Sequence, residues 1–243
     1  MALPWQHAIV VGASSGIGAA LARTLAAGGC RVALVARRAA ELEALARETG
    51  GLPFVHDVTR FDEVPTLFQR IARELGGVDL VIYSAGVMPA IGPSEYDFVK
   101  DKAIVDVNVL GAIAWCNQAA QRFERAGAGT IVGLSSVAGD RGRRGNPVYC
   151  ASKAAFDTYL EALRNRLGHQ GVSVVTVKPG PVATPMTEGM DRLPLLIPAD
   201  AAAEQIVAAA AKRTRWAYVP RVWRPIMFAI RNIPSVVFQR LDI

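Results

Sequence analysis

The chain holds 243 residues, 51% of them hydrophobic and 20% charged, at a mean hydropathy of +0.25; that excludes a disordered chain and suits one large domain with a sizeable core. Three cysteines, Cys30, Cys116 and Cys150, are too few and too scattered for a disulfide framework or a metal cluster, so a reducing, cytoplasmic setting and no metal are expected. The net charge of +6 sits wholly in the last 32 residues, where seven Lys and Arg face Asp242 alone, and residues 1–211 balance at 20 basic and 20 acidic; that argues against a nucleic-acid surface across the body.

In chain order, no basic region precedes the first apolar run, and glycines interrupt it, so it does not read as a targeting segment. No stretch elsewhere approaches the ~20 apolar residues of a membrane-spanning helix. Short β-branched runs at 8–11, 31–36, 52–56, 79–83, 130–134, 172–177 and 216–219 predict buried strands. Alanine- and leucine-rich stretches at about 17–28, 39–49, 62–75, 96–124, 148–168 and 200–211 predict helices between them. The alternation predicts an α/β fold, a doubly wound, Rossmann-like parallel sheet of about seven strands with helices on both faces. Ligands then gather at the carboxyl ends of the strands.

The first predicted strand runs into Gly12-Ala-Ser-Ser-Gly16-Ile17-Gly18 and then a helix. Glycines permit a tight turn and let backbone N–H groups approach a pyrophosphate at the positive end of that helix, although the spacing alone also fits a plain strand-to-helix turn. After the second strand comes Arg37-Arg38, with no carboxylate to meet a ribose hydroxyl. Arginine there favours a 2′-phosphate, hence NADP(H), with Ser14 and Ser15 as further donors; a solvated basic turn is the competing reading. Asp57 follows the third strand, either as an adenine contact or as a turn aspartate. Ser84-Ala85-Gly86 follows the fourth and suits a close backbone approach to a ligand, or a plain turn.

Ser135 and Ser136 end the fifth strand, where a hydroxyl either reaches a ligand or caps a turn. Tyr149 and Lys153 are four apart on a predicted helix and therefore share a face. A phenol of ordinary pKa ~10 needs stabilising by about 4 kcal/mol to titrate near 7, and an adjacent ammonium works in that direction. Cys150 points away and reads as a small core residue. Arginines at 141, 143 and 144 stand near the expected substrate mouth, either drawing in a carboxylate or simply solvated. Residues 185–199, rich in Met, Leu, Ile and Pro, read as a lid over an apolar substrate or as a loop packed on the body. Residues 212–243 form a basic, aromatic-rich C-terminal extension. In it Ile226, Ile230 and Ile233 share one helix side and Arg224 and Arg231 the other, which fits peripheral membrane contact through 212–240, an oligomer contact, or packing on the body.

Taken together, GASSGIG at 12–18, Asp57-Val58, SAG at 84–86, Asn108 in VDVNVLG, Ser136 in GLSSVAG, Tyr149-x-x-x-Lys153 and Pro179-Gly180-Pro181-Val182-Ala183-Thr184 resemble the compact short-chain dehydrogenases/reductases, over residues 7 to 211. The resemblance implies a single-domain NADP(H)-dependent oxidoreductase, expected as a homo-oligomer, that moves a hydride between the nicotinamide and an apolar alcohol or ketone. It implies Tyr149 as general acid or base, Ser136 as the residue that holds the substrate oxygen, Lys153 as a ribose ligand that lowers the Tyr149 pKa, and Asn108 as holder of a relay water. Asp57 and Val58 resemble adenine contacts, and Val182 and Thr184 those of the carboxamide, after Pro179-Gly180. Val11 and Tyr83-Ser84 depart from the pattern, where Thr and Asn-Asn are usual, and leave open how the cofactor loops are braced. The alternative is a sensor or scaffold that binds NADP(H) without turnover.

Overall fold

A computed structural model describes residues 3–92, 94–190 and 193–241. The apolar runs form β1 (His7–Val11), β2 (Arg31–Ala36), β3 (Leu52–Val55), β4 (Leu80–Tyr83), β5 (Gly129–Leu134) and β6 (Val172–Pro179). Two two-residue strands, β7 (Val182–Ala183) and β8 (Ile197–Pro198), and then β9 (Trp216–Val219) complete the set. The helices between are α1 (Gly16–Ala27), α2 (Ala39–Thr49), α3 (Val64–Leu75), α4 (Phe98–Val105), α5 (Ala112–Ala126), α6 (Pro147–Leu167) and α7 (Ala199–Ala211), followed by α8 (Trp223–Asn232) and α9 (Ser235–Phe238).

Seven strands join in one parallel sheet in the order β3-β2-β1-β4-β5-β6-β9. The doubly wound architecture expected from the alternating pattern is therefore present. Residues alternate along each strand, so the sheet feeds two cores. Val10, Leu34 and Val132 pack with α1, α2 and α7 on one face, and Ile9, Val35 and Ile131 with α3, α5 and α6 on the other. The chain reverses direction across the sheet at β1, which lies between β2 and β4. That reversal opens a crevice at the carboxyl ends of β1 and β4.

One feature differs from the sequence reading, and another decides between its alternatives. The helix from Phe98 to Ala126 is continuous through a π-helical turn, Asp106–Gly111, and is long and apolar enough, by length and composition, to cross a membrane. Half of its apolar window is buried, because α5 lays Trp115, Ala119 and Phe123 into the second core. In the C-terminal segment, β9 is the edge strand of the main sheet, and Trp223 and Met227 of α8 are buried with Val137 and Tyr218 in a third cluster. Ile226 and Ile230 pack against the same cluster, so the isoleucine side is turned to the body and Phe228 is left outward at 73% exposure. The end of the extension, residues 242–243, lies outside the described residues, as do residues 191–192 of the expected lid.

Candidate active site

The crevice holds a cavity of about 640 Å³, lined from the glycine loop to the segment after β7. At its floor Gly12 has φ +91°, and a Cβ there would stand 2.5 Å from Ala85 N; at Gly18 it would stand 2.1 Å from Gly12 O. The turn closes only without those side chains. It leaves the first N–H groups of α1 facing the cavity, and Ser15, its N-cap residue, makes no side-chain cap. An uncapped helix start with a positive dipole end suits an anion.

Tyr83 and Ser84 answer the question their departure raised. Ser84 Oγ donates to Val11 O at 2.7 Å, so a serine ties the SAG turn to the end of β1. The Tyr83 hydroxyl donates to Val107 O at 2.6 Å inside the π-helical turn, and a Cβ at Gly111 would lie 2.7 Å from that hydroxyl. The π turn places Asn108, fully buried, against the chain that leaves β4: its Oδ1 accepts from Val87 N at 2.8 Å, and its amide donates to Val87 O and Ser152 Oγ. Asn108 is next to the cavity but does not line it.

The basic pair after β2 divides. Arg38 donates to Ser14 Oγ (2.8 Å) and Ser15 Oγ (2.6 Å), which leaves both hydroxyl protons free to be donated. Arg37, more exposed, lies 3.8 Å from Asp57 Oδ2. Asp57, expected as an adenine contact, accepts through Oδ1 from Thr59 N and Oγ1 at 3.0 and 2.9 Å and stands beside the cavity without lining it. Burial raises its pKa, but the Thr59 hydrogen bonds and the Arg37 charge outweigh it and hold the carboxyl below its usual range. His56 and Val58, on either side, do line the cavity. His56 carries a buried, unpartnered Nε2, and burial depresses its pKa despite Glu63 nearby.

At the other end, Ser136 and Ser135 separate in the way alternating backbone directions require. Ser136 lines the cavity with Tyr149 and accepts from Ala138 N at 3.1 Å, whereas Ser135 donates to Lys153 O at 3.2 Å. Tyr149 and Lys153 share the inner face of α6, with Nζ 5.7 Å from the phenol ring centre. Lys153 is buried and donates to Leu134 O at 2.9 Å. Burial lowers its pKa to about 8, with Asp157, one turn further on, pulling it back up. Burial raises the Tyr149 phenol above its ordinary value, with Ser136 and the Arg143 charge acting in the opposite direction.

Gly12, Ser14, Ser15, Gly16, Ile17, Gly18, Arg37, Arg38, Val58, Ser84, Ala85, Gly86, Ser136, Tyr149, Lys153, Pro179, Gly180, Val182 and Thr184 all line this one cavity. The sequence reading missed Met88, Val137 and Asn146, which sit there with no motif to mark them, and His56, whose place at the end of β3 beside Asp57 was a usable signal. Pro185, Met186, Met190 and Leu193 line the cavity from the expected lid, but Ile197 and Pro198 pair with β7 and Ala199 begins α7. The loop therefore ends at 196. Of the arginines near the mouth, only Arg143 reaches the cavity. Cys150 is buried but lines the cavity beside Tyr149 and belongs to neither sheet-face core, which differs from its reading as a core residue.

A family model described as short chain dehydrogenase matches residues 6–192. An uncharacterised oxidoreductase of Myxococcus xanthus is 36% identical over 190 residues, covering 76% of this chain and 75% of that protein. Another, of Mycobacterium tuberculosis, is 32% identical over 239 residues, covering 96% of each. Among solved structures, a short-chain type dehydrogenase/reductase from Mycobacterium ulcerans superposes with a TM-score of 0.79 at 26% identity, over 90% of this chain and 89% of that one.

Proposed function

The chain belongs to the short-chain dehydrogenase/reductase family and is an oxidoreductase; on that premise we propose that it uses NADP(H) to interconvert an apolar alcohol and ketone, with Tyr149 as the proton-transfer residue. The residues present suit that cofactor. A glycine turn that a Cβ would fill, an uncapped helix start and Arg38 held on two serines together offer a cradle for phosphates. Bound there, the cofactor supplies or accepts the hydride.

The observation that carries the reading is that Ser136, Tyr149 and Lys153 line one cavity, with Lys153 Nζ 5.7 Å from the centre of the Tyr149 ring. Ser136 donates to the substrate oxygen and orients it. Because burial keeps Tyr149 protonated at neutral pH, the phenol meets a carbonyl oxygen as an acid and gives up its proton as charge develops there. Lys153 stabilises the phenolate that results. Asn108 fixes the chain at Val87, one residue beyond Gly86, where a Cβ would come within 3.6 Å of Lys153 Nζ. The loop 185–196 closes over the substrate, and the apolar side chains it brings to the cavity support an apolar ligand. The exposed Tyr96, Phe98 and Val99 around the start of α4 support a homo-oligomer, and Phe98→Glu is expected to lower the mass seen by light scattering.

A panel of alcohols and ketones followed by NADPH absorbance tests the assignment. Tyr149→Phe is expected to lower turnover by at least about 100-fold, the scale of general-acid catalysis, with cofactor affinity unchanged. Normal turnover by that variant overturns the role of Tyr149, and binding of NADPH with no turnover of any carbonyl by the unmodified protein favours the sensor.

A further inference from the structure

The cations that line the cavity fall into separate groups: Arg37 and Arg38 at the glycine end, Lys153 beside Tyr149, and Arg143 across the mouth. No aspartate or glutamate among the described residues lines the cavity. The two arginines beside Arg143 are engaged elsewhere. Arg141 donates to Ile230 O at 2.5 Å and Ile233 O at 2.6 Å and stacks 3.9 Å over the Phe238 ring, and Arg144 donates to Gln239 O at 3.0 Å. Arg143 has only a 3.9 Å contact from Nη2 to the Met227 sulfur. Its Nε is buried with no acceptor among the described residues, and Asn146 Oδ1 is likewise buried and unpartnered.

A buried polar group left unpaired costs about 1–3 kcal/mol, more when it is charged, and such a cost persists where a ligand relieves it. Arg143 and Tyr149 line the same cavity. The same cavity takes apolar lining from Met186, Met190 and Leu193. We propose that Arg143, with Asn146, binds the carboxylate of the substrate, which is then an apolar hydroxy acid or keto acid whose reacting carbon lies at Tyr149 and whose carboxylate passes through the reaction unchanged. A guanidinium offers two parallel N–H donors to a carboxylate, and the Asn146 amide, turned about its last bond, adds a third. This inference rests on the oxidoreductase reading for the chemistry at Tyr149 but not for the binding.

The test is calorimetric binding of octanoate and octanamide to the full chain saturated with NADP⁺. Octanoate is expected to bind at least about 10-fold more tightly than octanamide. Arg143→Gln erases that difference and leaves octanamide binding unchanged, Arg143→Lys restores part of it, and Arg144→Gln, which removes the same charge from the same loop, behaves as the unmodified protein. Equal binding of the two probes, or an Arg143→Gln protein that still prefers octanoate, overturns the subsite. Octanoate preference without turnover of any keto acid or its methyl ester counts against the oxidoreductase reading and leaves the subsite standing.

Discussion

Lys153 shows why one residue's ionisation depends on groups it does not touch. Burial pulls its pKa to about 8, and the Asp157 carboxylate resists. Asp157 itself is held with Asp140 on Lys178, at 2.9 and 2.5 Å, and Tyr218 donates to Asp140 at 2.6 Å. In the free protein the ammonium is present below pH 8 and lost above it, so kcat/KM should fall on a basic limb near that value. Asp157→Asn removes the charge that favours the ammonium, and the limb is expected to move to lower pH. A pH profile with an unmoved limb would detach Asp157 from Lys153. Arg38 gives a second prediction. Replacing it with Leu removes a charged partner of the two serines and should raise the KM for NADPH by about 10- to 100-fold, at 1.5–3 kcal/mol for such bonds, and change that for NADH little. Arg37→Asp should shift preference toward NADH less strongly, because Arg37 already faces Asp57.

At the scale of elements, α8 shows where a sequence pattern runs out. A helical wheel places Ile226 and Ile230 on one side and cannot say whether lipid, another subunit or the body covers it; the body does. The deciding contact is Trp223, packed so closely on Gly180 that a Cβ there would fall 2.0 Å from the indole nitrogen. Trp223→Ala should cost about 3–5 kcal/mol, a fall in Tm of about 10 °C at roughly 2–4 °C per kcal/mol for a chain of this size. A melt unchanged by the substitution would mean that α8 is not docked. The strands and helices of the body were legible because period-2 and period-3.6 apolar patterns report burial directly. The glycine turn and the Tyr149/Lys153 face were legible for a similar reason, since backbone space and helical spacing are local properties. The ionisation of Tyr149, the division of labour between Arg37 and Arg38 and the idle nitrogen of Arg143 were not, because each depends on partners 20 to 84 residues away or on a dielectric that no local pattern records.

For the molecule as a whole, the basic charge of the last 32 residues does not mark a detachable tail. β9 closes the sheet beside β6, Val219 lies in the first core, and Tyr218 with Trp223 and Met227 seals the third cluster. A chain ending at residue 211 is expected to be insoluble or to melt far below the full protein, since it bares the β6 edge and an apolar wall together. Circular dichroism of the two forms checks this. Through Arg141, whose guanidinium gathers carbonyls at the end of α8, the last helices are also fastened to the stretch that connects Ser136 to Tyr149. These two regions, about 90 positions apart along the chain, therefore evolve under one constraint: in an alignment of relatives, changes near 141 should be accompanied by changes around 230–238, and chimaeras that exchange one without the other should be less active than those that exchange both.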